Sequence, residues 1–359
     1  MIHDVMKRKI LIYTPGGVGG AERMSLLIGK ILPKDKFDVK IVVLGRLRGI
    51  YNIMPGDIDV DCIPVRNIYA FSTFRIWRNI RKEKPDVVFV SLSSYNPRVI
   101  VASKLAGRRV IVRSSGMIST YPWFKLLQVR LTYPMADKLI AQQEEMRQEM
   151  IRILKVLPDK VITLHNPVDT QDIERLSTAC SPYPEDGSVN YVYVARIIPS
   201  KAHDVAIKSM ASVKKAIPDA HLYFVGGYDE NSEYYINIVK LISDLQLQSC
   251  IHFIGYDKNP FRWVKNSDCF VFPSRIEGLP NSLIEASYLG VPCVAARCLN
   301  IVDDIIENGQ NGFVVDVDDI DGFSQAMIDA VRIKECKMVY TPSCAEDYSL
   351  LFDNVGQYC

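Results

Sequence analysis

The chain has 359 residues, 48% hydrophobic and 23% charged, proportions that exclude a disordered, collagen-like or coiled-coil protein and suggest about two domains. No run approaches the roughly 18 apolar residues of a membrane span, and nine cysteines without a CxxC pair, beside five scattered histidines, suit neither a disulfide framework nor a zinc site; reduced cytosol is the expected setting. The net charge of +2 hides an asymmetry, since residues 1–170 carry 28 Lys and Arg against 15 Asp and Glu while residues 171–359 carry 15 against 26; this admits either drift between two domains or a basic first domain suited to an anionic surface such as phospholipid headgroups, with nothing to suggest nucleic acid.

In chain order, the opening MIHDVMKRKILIYTPGG breaks its apolar run at Thr14 and Pro15, too early for a secretion signal, and is read as a first strand. Short β-branched runs then alternate with helical patterns: KILIYT at Lys9, VKIVVL at Val39, DVVFVS at Asp86, RVIVRS at Arg109 and KLIAQ at Lys138. That is the βαβ rhythm of a parallel sheet. Between them, IYAFSTFRIWRNIRKEK from Ile68 and YPWFKLLQVRLTYPM from Tyr121 mix Trp, Phe and Leu with Arg and Lys at helical spacing. Each reads as a helix packed on the sheet or as one lying in a membrane interface. After ITLHNPVD and a polar stretch with Pro182, Pro184 and Gly187, the rhythm restarts with VNYVYVAR, HLYFVGG, CIHFIGY, DCFVFPS and VPCVAA. Two open α/β domains are therefore expected, joined near residues 165–188. The closing SCAEDYSLLFDNVGQYC reads as a short helix capped by Ser343, with Tyr348, Leu351 and Val355 on one face.

In such sheets ligands bind where strands end and helices begin. The loop TPGGVGGAER puts Gly16, Gly17, Gly19 and Gly20 at the first such turn, where backbone N–H groups and a helix N-terminus can approach a phosphate; its other reading is a turn that merely brings helix and strand close. The dinucleotide fingerprint fails, because the third glycine position falls on Glu22 and the next strand ends in Gly45 and Arg46 rather than an acid. No Gly-Lys-Ser/Thr follows, so it is not a P-loop either.

The second half holds the denser pattern. FVFPSRIEGLPNSLIEASYLGVP ends a buried strand at Pro273 and Ser274, carries Glu277 on a loop, and opens a helix near Asn281 that brings Glu285 in its first turn. Ser282 and Glu285 also satisfy a capping box, the structural alternative for Glu285; a solvated loop acid is the alternative for Glu277. VARIIPSK adds Arg196 at a strand end and Lys201 before the next helix, paired cations that suit a diphosphate, with an ordinary surface charge as the alternative for either.

Taken in order, PGGVGGAER, HNPVD, ARIIPSK, FVGG at Gly226 and EGLPNSLIEA resemble the family 4 group of retaining glycosyltransferases, over nearly the whole length. The resemblance implies a GT-B fold, two Rossmann-like α/β domains with parallel sheets facing a central cleft. Residues 1–167 with a returning helix at 343–359 would bind the acceptor, and residues 168–342 the nucleotide-sugar. It further implies that Arg196 and Lys201 bind the donor diphosphate, Glu285 the ribose, and Glu277 the transferred sugar. Gly16 and Gly17 would face the diphosphate, and backbone groups of Asn281, Ser282 and Leu283 would stabilise the leaving phosphate. No metal or other cofactor is implied. The donor expected from the family is a UDP-sugar and the acceptor a lipid-linked or saccharide one in surface polysaccharide synthesis, at the cytoplasmic face of a membrane. Two departures stand out: the family's Lys-Gly is Lys201-Ala202 here, and a histidine common after the strand VIVRSS is replaced by Arg113, which either contacts a donor or acceptor oxygen or is structural. His165 in the crossover reads as a hinge residue.

The alternatives are an NAD(P)-dependent oxidoreductase, favoured only by the glycine loop, and a non-catalytic nucleotide-binding protein. Asp57 with Asp59, and Asp316 with Asp318, spell the Asp-x-Asp string of metal-dependent transferases, but read as solvated acidic turns.

Overall fold

A computed structural model of the chain describes residues 7–17, 19–46, 56, 58–65 and 69–354; residues 1–6, Asp57, Ile68 and Val355, which figure in the sequence reading, lie outside them. The chain divides into two compact units, Met1–Pro167 with Pro342–Cys359, and Val168–Thr341. Each is built on a parallel sheet, as the βαβ rhythm predicts. Among the described residues no helix is long and apolar enough to cross a membrane.

The first unit contains β1 (Arg8–Pro15), α1 (Gly20–Ile31), β2 (Phe37–Leu44), β3 (Asp59–Ile63), α2 (Tyr69–Glu83), β4 (Val87–Val90), α3 (Asn96–Leu105), β5 (Arg109–Arg113), α4 (Trp123–Thr132), β6 (Lys138–Ala141), α5 (Glu144–Leu154) and β7 (Val161–Thr163). Its strands pair in the order β3-β2-β1-β4-β5-β6-β7. Because successive side chains on a strand face opposite ways, β1 feeds two cores. Leu11 and Tyr13 pack with Ile76, Ile80, Val99 and Val129 of the helices on one face, while Ile10 and Ile12 pack with Met24 and Ile28 of α1 and with Tyr348 and Phe352 on the other. Apolar runs buried on both faces are what a parallel sheet requires.

The last helix, α13 (Ala345–Asn354), belongs to this second face through Tyr348, Leu351 and Phe352. Its cap differs from expectation. The helix starts two residues after Ser343, so Cys344 stands at the cap position, and its N–H donates to Asp347 Oδ2 of the first turn at 2.8 Å, the carboxylate half of a capping box.

The second unit runs α6 (Thr170–Ser177), β8 (Val189–Val194), α7 (His203–Ala216), β9 (Ala220–Val225), α8 (Glu233–Asp244), β10 (Ile251–Gly255), α9 (Phe261–Lys265), β11 (Cys269–Phe272), α10 (Asn281–Tyr288), β12 (Cys293–Ala296), α11 (Ile301–Ile305), β13 (Gly312–Val315) and α12 (Ile320–Ala330). The strand order is β10-β9-β8-β11-β12-β13. In both sheets the order reverses beside the unit's first strand, between β1 and β4 and between β8 and β11. The connections leaving such a pair diverge to opposite faces and open a crevice at the carboxyl ends of the strands.

Candidate active site

Strands β8 and β11 are neighbours, Cys269 opposite Tyr191 and Phe270 opposite Val192, so the segments leaving them meet at the second unit's reversal point. From β8 the chain passes exposed Arg196, makes a tight turn over Pro199–Lys201 and enters α7 through Ala202. Ala202 is fully buried with φ 50° and ψ 45°, the left-handed conformation that glycine adopts freely and alanine holds at a cost of roughly 1 kcal/mol. The Lys-Gly of the resembling family is thus met here by an alanine in a glycine's conformation. Gly226, of FVGG, packs against the same exit: a Cβ there would lie 2.0 Å from the Ala195 carbonyl oxygen, so no other residue fits without moving the backbone beside Arg196.

From β11 the loop to α10 brings Glu277 onto Lys201. Lys201 Nζ donates to Glu277 Oε1 in an ion pair whose side chains are 21% and 12% exposed. Ser274 Oγ donates to the same carboxylate oxygen at 3.0 Å. Behind it, the buried Tyr193 hydroxyl lies 2.8 Å from Ser274 Oγ and 3.0 Å from the Lys201 carbonyl, to which it donates. Burial, reinforced by the Glu277 charge, pushes the Tyr193 phenol well above its ordinary range, so it stays a neutral donor. Tyr193, Ser274, Glu277 and Lys201 therefore form a closed ring that fixes the orientation of the carboxylate and ammonium.

A second set of bonds braces the same loop from outside. The Arg275 N–H donates to the Ser200 carbonyl at 2.9 Å, and its guanidinium grips Asp204 at 3.0 and 2.8 Å and Asp318 at 2.8 Å. Burial raises the Asp204 carboxyl's affinity for a proton, but hydrogen bonds and charge from Arg275 outweigh it and hold the acid below its usual range. The Asp-x-Asp reading needs amending accordingly. Asp318 is a leg of this brace, Asp316 accepts from Arg297 at 3.1 Å and Asp59 pairs with Lys40 at 3.1 Å. Among the described residues no three acidic, His or Cys side chains gather as metal ligands do.

Helix α10 begins at Asn281 as expected, yet its cap does not match the sequence reading. The N-cap is Pro280, with no side-chain cap. Ser282 therefore lies inside the first turn, the capping-box alternative falls away, and Glu285, partly buried, sits a full turn into the helix. Of the three backbone donors expected, Asn281 N–H is taken by the Leu279 carbonyl and Leu283 N–H by the Pro280 carbonyl, each at 3.0 Å. Ser282 N–H is the one with no backbone acceptor among the described residues.

In the first unit, Gly16 and Gly17 leave β1 at the β1/β4 reversal, Gly16 buried and Gly17 partly so. The loop already carries an anion: a Cβ on Gly19 would come 2.5 Å from Glu22 Oε2, and one on Gly17 would come 3.5 Å from Glu22 Oε1. A carboxylate in the first turn of α1 suits the helix's positive end.

Each of the two units matches a known family model. Residues 18–172 match the family model Glycosyltransferase Family 4, and residues 184–340 the model Glycosyl transferases group 1. The chain is a glycosyltransferase made of a family 4 domain and a group 1 domain. An Escherichia coli UDP-Gal:alpha-D-GlcNAc-diphosphoundecaprenol alpha-1,3-galactosyltransferase is 23% identical, covering 90% of this chain and 86% of its own. The N-acetylgalactosamine-N,N'-diacetylbacillosaminyl-diphospho-undecaprenol 4-alpha-N-acetylgalactosaminyltransferase of Campylobacter jejuni is 22% identical over 98% and 97%. In fold, the transferase is similar to a Rickettsia africae glycosyltransferase, with a TM-score of 0.80 at 17% identity over 98% of this chain and 100% of that one. Anabaena HepE, solved with UDP and glucose, has a TM-score of 0.74 at 19% identity over 90% and 89%. The GT-B class expected from the resemblance is thus the transferase's fold.

Arg113 carries two readings from the sequence, a contact to a donor or acceptor oxygen and a structural role. Arg113 ends β5, but its side chain is 2% exposed. Its guanidinium donates to Ser91 Oγ at 2.7 Å and to Asn166 Oδ1 of HNPVD. Burial, opposed by Tyr348, lowers the pKa of the guanidinium. With the Tyr348 hydroxyl donating to the His165 carbonyl at 2.9 Å, Arg113 ties β5 to both segments at which the chain passes between units. Of its two readings, burial favours the structural one. Sequence reasoning missed Tyr193, Ser274, Asp204, Arg275 and Glu22. Apart from Glu22 in the glycine motif and the short Ser274–Glu277 bond, their partners lie far along the chain, and no local pattern marks them.

Proposed function

We propose that the transferase moves one sugar from a UDP-sugar to a hydroxyl of a lipid-linked saccharide in bacterial surface polysaccharide synthesis, with retention of anomeric configuration and no metal ion. The observation that carries the reading is the Lys201–Glu277 pair held by Ser274 and Tyr193 beside exposed Arg196, at the strand ends where β8 and β11 diverge. Two cations and the α10 N-terminus suit a diphosphate leaving group, and a fixed carboxylate next to them suits sugar hydroxyls. The relatives named for undecaprenol-linked substrates and the fold neighbour holding UDP support the choice of acceptor and donor.

In this mechanism the anomeric carbon–oxygen bond to the diphosphate breaks with its electron pair going to phosphate. The acceptor oxygen bonds from the same face, and its proton passes to the departing phosphate oxygen. Arg196, Lys201 and the Ser282 N–H stabilise the growing negative charge, Glu277 orients the sugar, and Glu285 receives the ribose hydroxyls. Lys201 is shared: phosphate competes with Glu277 for one ammonium, so donor binding loosens the pair and frees the carboxylate for the sugar. The role assigned to Gly16 and Gly17 requires Glu22 to turn away, because its carboxylate and a diphosphate repel each other.

The test is transfer of labelled sugar from UDP- and GDP-sugars to a lipid-linked saccharide, with and without a chelator, and NMR of the product anomer. Transfer from a UDP-sugar, unaffected by chelation and with the anomer retained, is expected. Transfer from a GDP-sugar, chelator-sensitive transfer or an inverted product would each overturn the corresponding part.

A further inference from the structure

Helices α2, α3 and α4 lie side by side on one face of the first unit's sheet, joined to it through Ile76, Ile80, Val99, Ile100 and Val129. Each follows a parallel strand, so all three start at the sheet's carboxyl edge, the edge where ligands bind. The outer surfaces of α2 and α4 near these starts are apolar. On α4, Trp123 is 78% exposed, and Phe124, Leu127 and Leu131 are more than half exposed. On α2, Phe71 and Phe74 are exposed in the first turns. A side chain as large as Trp123, held out in water with three apolar neighbours along one helix, is unlike the scattered apolar residues of ordinary surfaces.

The charges around this patch are one-sided. Residues 69–137 contain twelve Lys and Arg, Arg113 among them buried, but three acids, Glu83, Asp86 and Asp137, the last paired with Lys104 at 2.6 Å where β6 begins. Glu83 ends α2 and is engaged by Lys9 and Lys40, at 2.8 and 3.3 Å; Asp86 accepts the Lys9 N–H at 2.8 Å. Both sit at the opposite edge of the sheet. On α2 the outward stripe changes from Phe71 and Phe74 to Arg78, Arg81 and Lys82 within three turns, with Arg75 stacked over the Phe71 ring at 4.5 Å. Arg130 is exposed on α4 among the leucines. Apolar ends flanked by cations are the pattern of helices that rest in a membrane interface, rings among the acyl chains and cations at the phosphates.

We infer that this face docks on an anionic phospholipid bilayer, with Trp123, Phe124 and Leu127 of α4 and Phe71 and Phe74 of α2 entering the interface. A second copy of the chain is the weaker occupant, because self-association would bring the exposed Arg78, Arg81, Lys82 and Arg130 of the two copies face to face. The inference deepens the lipid-linked acceptor reading and rests on it for a purpose. Docking at the carboxyl edge of the first sheet places that unit's ligand edge at the membrane, where a lipid-anchored acceptor lies.

The experiment is cosedimentation of the full chain with vesicles of phosphatidylcholine alone and with phosphatidylglycerol. The chain is compared with a Trp123→Ser, Phe124→Ser, Leu127→Ser variant and an Arg75→Ser, Arg78→Ser variant; circular dichroism verifies folding, and calorimetry measures UDP binding in solution. Each large side chain removed from water contributes roughly tenfold or more, so the triple variant should bind phosphatidylglycerol vesicles at least 100-fold more weakly. The arginine variant should lose the preference for phosphatidylglycerol. Vesicles should blue-shift the tryptophan emission of the wild type, since Trp263 is buried and Trp77 half-buried while Trp123 is exposed. No wild-type binding to either vesicle, or equal binding by the triple variant, overturns the inference. So does a concentration-dependent dimer without lipid that the triple variant abolishes, which would assign the face to a second copy. UDP binding retained in a chain that ignores vesicles defeats the surface alone; vesicle binding in a chain that ignores nucleotides defeats the transferase site alone.

Discussion

His203, the first residue of α7 and two positions after Lys201, is fully buried, and neither ring nitrogen has a hydrogen-bond partner. Its ring lies 4.9 Å, centroid to centroid, from both Tyr193 and Phe224. Burial is the main cause that pushes its pKa down to about 3, with Asp204 opposing and Lys201 adding to the effect. In the unfolded chain the imidazole titrates near its ordinary value of about 6.5. Between these values the unfolded state binds the proton and the folded state does not, so stability is fully present above about pH 6.5 and is lost as pH falls toward 3. The expected loss from this one group between pH 7 and pH 4 is about 3 kcal/mol. Replacing it by Phe removes both the titration and a buried donor and acceptor that cost roughly 1–3 kcal/mol unpaired, less a smaller term for the ring's extra volume. His203→Phe should therefore be about 1 kcal/mol more stable than wild type at pH 7.5, and the difference should widen to about 4 kcal/mol at pH 4. Urea unfolding at a series of pH values measures both. A variant that is destabilised at pH 7.5 and keeps the wild-type slope below pH 6.5 would refute the reasoning, because the histidine would then be partnered or charged in the fold.

The Lys201–Glu277 pair makes opposite predictions for stability and for function. Lys201→Met leaves a largely covered carboxylate with Ser274 alone and should cost about 2 kcal/mol, between the values of exposed and buried pairs. In urea unfolding, Lys201→Met with Glu277→Gln should recover about 1–2 kcal/mol of the summed single losses, while turnover stays as low as in the worse single variant; additive stability losses would mean that the pair is not coupled. Gly226→Ala must displace the Ala195 carbonyl and should cost about 2 kcal/mol or more, with weaker nucleotide binding by calorimetry; an unaltered affinity would separate the β8 exit from the donor site. Arg113→Met strands Ser91 and Asn166 and should lower stability by roughly 1–3 kcal/mol while leaving the acceptor KM unchanged below the melting range. A raised KM with unchanged stability would restore the ligand-binding reading.

Much of this was legible in the chain because parallel strands announce themselves as buried β-branched runs. The strands missed were β3, β7 and β13, each at or beside a sheet edge and short. Of the five residues of β3, only Ile63 is buried, so half its environment is missing and the pattern is weak. The site was legible where it is made of strand-to-helix turns, since Arg196, Lys201 and Glu277 converge by topology alone. What escaped was whatever depends on distant partners. The Ser274–Tyr193 contact spans 81 positions and the Arg275–Asp204 contact 71. Arg113 stayed open between a ligand contact and a structural role, because a strand end suits either, while its burial depends on Asn166 and Tyr348, which arrive from much later in the chain.

The most direct test of the central claim, a nucleotide diphosphate site at the end of β8, is the melting temperature with UDP, GDP or NAD at millimolar concentration, for wild type and Arg196→Ala. A ligand at about 100 times its dissociation constant adds about 2.7 kcal/mol. Stabilisation by UDP that falls sharply in the variant is the predicted result; a shift with NAD alone, or a UDP shift unchanged in Arg196→Ala, would contradict it.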